Sequence, residues 1–325
     1  MSNEIRVTYF DTAMVLIEVG ALRLLTDPVL DPAGSAFDYG LYRLEKTSPV
    51  SVTPEQLGRI DAVLLSHEQH GDNLDMAGRE LLSNVPRVLT TPAGASVLGG
   101  VAEGLSDWQS VTVEGAEGGA VRVTGVPAQH GPDGTQEVTG SVIGFVITAG
   151  DGRKIYVSGD TVPFSGTDEI AARYAPVDLA ILHLGRVQLA ATGDATFSLS
   201  ADEAVRYALS LGARKVVPIH FEGWAHFTEG REQAERAFAA SEIAGRTLWL
   251  RSGETAVIDD DETFSGRPRR SRCPVPRPVA GVRRRRRARS VLEAGLPVGA
   301  ARRSHQGRAP APLPRIARGL REGAK

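Results

Sequence analysis

Four apolar runs of strand length in this chain each stop at a residue type that ligates metals, and this recurrence constrains the fold more than any other feature. Ala62-Val63-Leu64-Leu65 leads directly into Ser66-His67-Glu68-Gln69-His70-Gly71-Asp72-Asn73. The run VRVTGVPAQ ends at His130, KIYVSG at Asp160 and KVVPI at His220. Two imidazoles and a carboxylate on one tight turn crowd and desolvate one another, and a shared divalent cation offsets that cost. If the strands align, the loops past their carboxyl ends converge over one rigid edge.

The rest of the pattern supports such a scaffold. Ile5 to Asp27 reads as strands, with a hairpin through Gly20-Ala21, and Asp27-Pro28 breaks the run. Residues 28–54, rich in Gly, Pro, Asp and Tyr, lack periodicity and read as a long loop bordering the site. Helices are expected around Met76 to Leu82 and near Ala93 to Leu98, with RVLTT as a strand between them. VRVTGVPA, SVIGFVITA and KIYVSGD are strand-like, the last two joined through Gly150-Asp151-Gly152. VDLAILHLG, a helix, KVVPIHF, another helix and TLWLRSGETAVID close the pattern. Ser200 and Glu203 form a capping box for the first of those helices, and Gly212 ends it. Strand-rich and alternating halves covered by outer helices imply a layered α/β sandwich.

Charge divides the chain in two. Through Phe264 there are 19 Lys and Arg against 37 Asp and Glu, a formal charge of -18; residues 265–325 hold 18 basic residues and two acids, a charge of +16. This second part, with its run Arg283 to Arg287 and no Phe, Tyr or Trp, lacks the apolar surface to offset the entropy of ordering, so disorder is expected. Domain 1–264 is therefore the folding unit and 265–325 an Arg/Pro/Ala/Gly-rich tail. The tail reads either as an arm for nucleic acid or another anionic surface, or as a dispensable product of a shifted reading frame in a GC-rich gene. The acidic body repels polyanions, which leaves nucleic acid only the tail as a contact.

The one cysteine, Cys273, lies in the tail, so a metal site in the first 264 residues must rest on imidazole and carboxylate. MSNEIRVTYF lacks a signal-peptide pattern, and no apolar run reaches the roughly 18 residues of a membrane span. A cytoplasmic protein without membrane contact is the expectation, and the oligomeric state carries no signature.

A hydrolytic metal site takes three or four donors, leaves a position for water and lowers that water's pKa from about 15.7 toward 7. The order His67, His70, Asp72, then His130, then Gly159-Asp160, then His220 resembles the metallo-β-lactamase-fold hydrolases. That family's first motif reads HxHxDH after a strand, followed by a lone His, an Asp in a Gly-Asp pair and a final His. The resemblance runs from about Ile5 to Ile258, and LLTDPVL, YVSGDT and VVPIHFEGW bring it closest to the L-ascorbate-6-phosphate lactonase-like branch. It implies a four-layer αββα sandwich and hydrolysis of a small-molecule ester, lactone or phosphodiester. The cofactor it implies is one or two zinc ions, with manganese as the alternative.

Two departures stand out. His67 and His70 are spaced one residue wider than the motif, and Asn73 stands where its last His belongs. Either the strand end fixes Ser66-His67 and Glu68 or Gln69 is inserted, or Asp72 fixes the register and Glu68 replaces the first His. On the first register, which Ser66-His67 favours, the resemblance implies one site of His67, His70 and His130 and another of Asp72, Asp160 and His220. Asn73 offers a neutral amide oxygen, a poorer zinc donor than imidazole, so the second site is expected to be weaker, to prefer a harder ion, or to be empty. Asp72 is the expected catalytic residue, accepting a hydrogen bond from the attacking water. His183 reads equally as a ligand-orienting, substrate or core residue. His226 is expected on a loop near His220, read first as structural and otherwise as a residue that orients a ligand or touches substrate, with Trp224 packing beside the site, and Glu68 reads as a surface carboxylate or a proton shuttle. The altered motif also admits a protein of this fold that binds metal or ligand without turnover, and the tail admits a nuclease.

Overall fold

Period-two alternation divides the strands between different cores, and the layers follow from it. The computed structural model describes residues 4–40, 42–189 and 192–259; the tail after Phe264, and Cys273 with it, lie outside the described residues. The chain first forms β1 (Ile5–Asp11), β2 (Met14–Val19), β3 (Leu22–Thr26), β4 (Ala36–Asp38), β5 (Arg43–Glu45), β6 (Ala62–Leu64), β7 (Val88–Thr90) and β8 (Ala102–Gly104). There follow β9 (Ser110–Glu114), β10 (Ala120–Pro127), β11 (Ile143–Thr148), β12 (Lys154–Val157), β13 (Leu179–His183), β14 (Lys215–Ile219) and β15 (Glu254–Ile258). The helices are α1 (Pro54–Leu57), α2 (Met76–Leu82), α3 (Pro92–Leu98), α4 (Gln136–Thr139), α5 (Ser165–Tyr174), α6 (Ala201–Ser210) and α7 (Arg231–Ala239).

One sheet has the order β15-β1-β2-β3-β6-β7-β8 and the other β14-β13-β12-β11-β10-β9. Val15 and Ile17 of β2 pack with Phe145 and Ile147 of β11 in the core between the sheets. Met14 and Leu16 turn the other way, toward Leu57 of α1 and Leu81 and Leu82 of α2. In the second sheet Leu179 and Ile181 join the central core, while Ala180 and Leu182 face Ile170 of α5, Val205 of α6 and Phe238 of α7. The result is a four-layer αββα sandwich. Hydrophobic side chains of this size contribute about 1.5–3 kcal/mol each when buried, so a one-residue slip of a central strand would be costly.

Strand direction sets the site. β12, β13 and β14 are parallel, and β10 runs with them because it is antiparallel to β11, itself antiparallel to β12. The residues that follow β10, β12 and β14 therefore emerge at one edge of the second sheet.

The hairpin of β2 and β3, helix α2 and the Ser200–Glu203 capping box match the sequence reading. Residues 28–54 differ from it. They carry the β4–β5 hairpin, whose three-residue strands are too short to show a period, and Lys46 bridges to Trp224. Lys46 is fully buried, ion-paired to Asp11 and 5.3 Å from the Trp224 ring centroid. The closing segment TLWLRSGETAVID is strand only over Glu254–Ile258.

Candidate metal centre

The turn after β6 is held from below. Asp27, at the end of β3, accepts from both the Ser66 backbone N–H (2.7 Å) and the Ser66 hydroxyl (2.8 Å). With its proton committed to Asp27, Ser66 Oγ can only accept from His67 Nδ1 at 2.9 Å, and it also receives Asn73 Nδ2 at 3.3 Å. His67 is thereby fixed with its proton on Nδ1 and a lone pair on Nε2. His130 is fixed the same way, its Nδ1 donating to the Phe197 carbonyl at 2.5 Å.

Those two Nε2 atoms lie 3.0 and 3.1 Å from His70 Nδ1. Three buried imidazole nitrogens thus face one another with two lone pairs opposed. Burial, with the neighbouring imidazoles, holds all three rings below the usual histidine range, His130 at about 3, so protonation does not relieve the arrangement. A cation does. The donor atoms of His67, His70 and His130 lie within 4.8 Å of one another, as a single ion requires.

Asp72, Asp160 and His220 form a second set with the same mutual spacing. His220 donates through Nδ1 to the Leu184 carbonyl (3.2 Å), which turns Nε2 toward Asp72 Oδ2 at 3.4 Å and Asp160 Oδ1 at 3.5 Å. Burial pushes the His220 pKa down, but Asp160 and Asp72 overcome it and lift it to about 9. Burial raises Asp160 to about 6. Asp72 Oδ1, Asp160 Oδ1 and His220 Nε2 are buried and lack a hydrogen-bond partner among the described residues, a state costly for three polar atoms unless an ion joins them. Asp160 Oδ2 also lies 3.9 Å from His130 Nε2, so the two sets adjoin.

Local backbone geometry explains part of the sequence. Gly159 has φ of +60°, and a Cβ there would lie 2.7 Å from the Ile143 carbonyl, so glycine precedes Asp160. His220 has φ of +62°, a conformation that non-glycine residues adopt at a cost, held here by its N–H bond to the Thr12 carbonyl at 2.8 Å.

The remaining sequence candidates divide clearly. Glu68 belongs to neither set: its Oε2 would lie 2.7 Å from a Cβ on Gly94, which places the carboxylate against the first turn of α3. His67, not Glu68, therefore faces the other imidazoles. Glu68 is also buried, not the surface carboxylate the sequence allowed. Asn73 bonds Ser66 and stands outside both sets. His183 lies behind the second set, 3.5 Å from Asp27 Oδ2 and with its ring centroid 5.5 Å from that of His220. His226 touches the site directly, its Nε2 2.9 Å from Asp72 Oδ2. Sequence reasoning overlooked Tyr42, whose hydroxyl lies 3.2 Å from His70 Nε2, and Tyr39, which accepts from the Gly71 N–H at 2.9 Å. A cavity of about 150 Å³ opens in front of both sets, with Tyr42, His70, Asp72, His130 and His226 among its lining residues.

An αββα sandwich with two adjoining buried His/Asp donor sets at its strand ends defines a hydrolase scaffold of the metallo-β-lactamase fold. The chain belongs to the β-lactamase superfamily: the family described as "Beta-lactamase superfamily domain" matches residues 22–221. A UPF0173 metal-dependent hydrolase of Methanosphaerula palustris is 31% identical over 226 residues, 67% of this chain and 84% of the relative. Another, from Thermococcus onnurineus, is 29% identical over 225 residues, 67% of this chain and 85% of the relative. In structure, the isothiocyanate hydrolase from Delia radicum gut bacteria aligns with a TM-score of 0.66 at 22% identity, covering 77% of this chain and 98% of that one. The chain is a metal-dependent hydrolase of this superfamily, a broader grouping than the lactonase-like branch suggested by its motifs. Among the described residues no helix is long and apolar enough to cross a membrane.

Proposed function

We propose that residues 1–264 form a catalytic domain that hydrolyses a small-molecule ester, lactone or phosphodiester with water activated at two adjoining metal sites. His67, His70 and His130 would hold one ion and Asp72, Asp160 and His220 the other. A bound divalent ion lowers the pKa of its water toward 7 and polarises the scissile group. The chain's own residues orient the reactants. Asp72 accepts a hydrogen bond from the attacking water while His226 holds its other oxygen, and the Phe197 and Leu184 carbonyls fix the lone-pair faces of His130 and His220.

The observation that carries this reading is the facing of unprotonated nitrogens and unpartnered carboxylate oxygens in a buried site. The all-imidazole set suits zinc. With Asn73 outside it, the other set has two carboxylates and one imidazole, harder donors that also accept manganese. The test is elemental analysis of the purified full chain together with an ester and phosphodiester panel. Near-stoichiometric metal and hydrolysis abolished in folded Asp72→Ala and His130→Ala are expected; metal-free protein equally stable and equally active overturns the reading.

A further inference from the structure

Resting on the hydrolase reading above, we propose that the part of the substrate remote from its scissile bond is uncharged, apolar and no larger than a benzene ring. The cavity in front of the donor sets is the ground for it. Beyond the histidines and Asp72, its wall is made by Leu44 of β5, Val138 of α4, Val187 and Leu189 after β13, and Phe197. Thr139, Thr192 and Tyr42 supply hydroxyls, and no Lys or Arg lines it among the described residues. The bound metals would offer positive charge to the scissile group itself. A second anionic group, such as a remote phosphate or carboxylate, would meet aliphatic and aromatic surface with no counter-charge, and desolvation would oppose its entry. A ligand ammonium would find the same wall.

Size narrows the class further. About 150 Å³ is the volume of an apolar cavity that accepts benzene, and because His70, Asp72 and His130 line the same space the reacting end shares it, so a benzene ring is the upper bound for the remote group. Val138, 44% exposed on the short α4, stands at the rim as an apolar side chain that such a group would cover. Phe197 ties the wall to the chemistry: its carbonyl fixes His130 and its ring meets the His130 ring edge-on at 5.9 Å.

Tyr42 marks where the wall meets the reacting end. His70 turns Nδ1 to the donor set, so with a metal there its proton resides on Nε2 and is donated to the Tyr42 oxygen, 3.2 Å away. The Tyr42 hydroxyl proton is then free to be donated into the cavity, where it would position an oxygen or other heteroatom next to the scissile bond.

The test uses the full chain and three methyl esters with one leaving group: methyl benzoate, methyl acetate and the anionic monomethyl terephthalate. Toluene binding, followed by ligand-observed NMR on the same protein, gives a readout without turnover. The expected result is kcat/KM for methyl benzoate at least about tenfold above both others, and toluene binding weakened at least about tenfold by Leu189→Arg and by Val187→Phe, which fills the cavity. Either variant suffices should the other fail to fold. Hydrolysis that favours the anion or treats all three esters alike, or toluene binding unchanged in both folded variants, overturns the inference while the hydrolase reading stands. No hydrolysis of any of the three esters, with toluene bound and its binding weakened by the variants, leaves the apolar subsite in place and removes methyl esters as the reacting group, the hydrolase reading being decided by the wider panel above; no toluene binding by the wild type overturns the inference.

Discussion

His226 Nε2 lies 2.9 Å from Asp72 Oδ2, while Asp72 Oδ1 has no hydrogen-bond partner among the described residues. One oxygen of the carboxylate is thus anchored and the other faces the site. Burial pushes the Asp72 pKa up, but His226 and His220 overcome it and hold the group ionised well below the usual range. Replacing His226 by Ala should lower kcat by about 10- to 100-fold with little change in unfolding midpoint, because the anchor is lost and no apolar core is opened. His226→Gln, which keeps a donor, should recover part of the loss. Steady-state kinetics of both variants beside a denaturant titration checks this; equal kcat in wild type and His226→Ala would remove His226 from the mechanism.

Ser66 controls the His67 tautomer. Ser66→Ala removes the acceptor at 2.9 Å from His67 Nδ1 and a donor to Asp27, so both tautomers of His67 become accessible. Metal affinity should fall by about 10- to 100-fold, read from competition with a chromophoric chelator. Ser66→Thr, which retains the hydroxyl, should stay within a few-fold of wild type.

The strands that end in His67, His130, Asp160 and His220 were legible because apolar runs and ligand types are both written in side chains. What fixes those side chains was not. The acceptors that set His130 and His220 are the backbone carbonyls of Phe197 and Leu184, and a carbonyl has no letter. Tyr42 was hidden for a different reason: its hairpin strands, AFD and RLE, are too short for a period and pack through a buried lysine. His226 read first as structural, with a role at the site left open, because a lone loop histidine carries no spacing signal; only the fold of the segment after β14 returns it to Asp72. The widened His67–His70 spacing resolves in space. The intervening Glu68 turns toward α3, and Gln69 reaches toward Ser141, 3.5 Å from its carbonyl.

Stripped of metal, the fold should lose stability on acidification through its buried histidines. His130 and His183 both have pKa values near 3, pushed down by burial, against about 6.5 when unfolded. Between pH 6.5 and 3 the unfolded chain therefore binds protons at these residues that the folded chain refuses, and each such proton costs about 1.4 kcal/mol per pH unit. His67 and His70, also lowered, add to the effect. Asp27, Asp75 and Asp160 oppose it: raised by burial to about 7, about 7 and about 6, they take up protons in the folded state first, and Asp11 and Glu68, also raised by burial, act in the same direction. Between pH 7 and 5 these carboxylates mask much of the histidine effect, so the test is a difference between two proteins. On going from pH 7 to pH 5 the chelated wild type should lose about 2 kcal/mol more stability than folded His183→Asn, read from urea unfolding at both pH values. The same pH dependence in both proteins would refute the assignment of a neutral buried His183 imidazole.

The Lys46–Asp11 pair is the means by which the Tyr42 hairpin is kept over the site. Lys46 is fully buried, its Nζ faces the Trp224 ring at 5.3 Å, and Trp224 Nε1 in turn donates to Thr12 Oγ1 at 3.1 Å. Thr12 is also the residue whose carbonyl receives the His220 N–H, so one contact chain links the hairpin to the second donor set. Lys46→Ala leaves the Asp11 carboxylate buried and unpaired, which costs about 3–5 kcal/mol when both groups are ions. Burial already raises the Asp11 pKa despite Lys46, so without the ammonium the acid will be protonated at higher pH and the loss will fall toward the lower end. Replacing both groups, as Lys46→Met with Asp11→Leu, removes the buried charges together and should restore most of the stability. Urea unfolding of the single and double variants at pH 7 measures this. The Lys46→Ala protein should also show a raised KM, since Tyr42 and Leu44 line the cavity from the same hairpin; an unaltered KM in a folded Lys46→Ala variant would sever the hairpin from substrate binding.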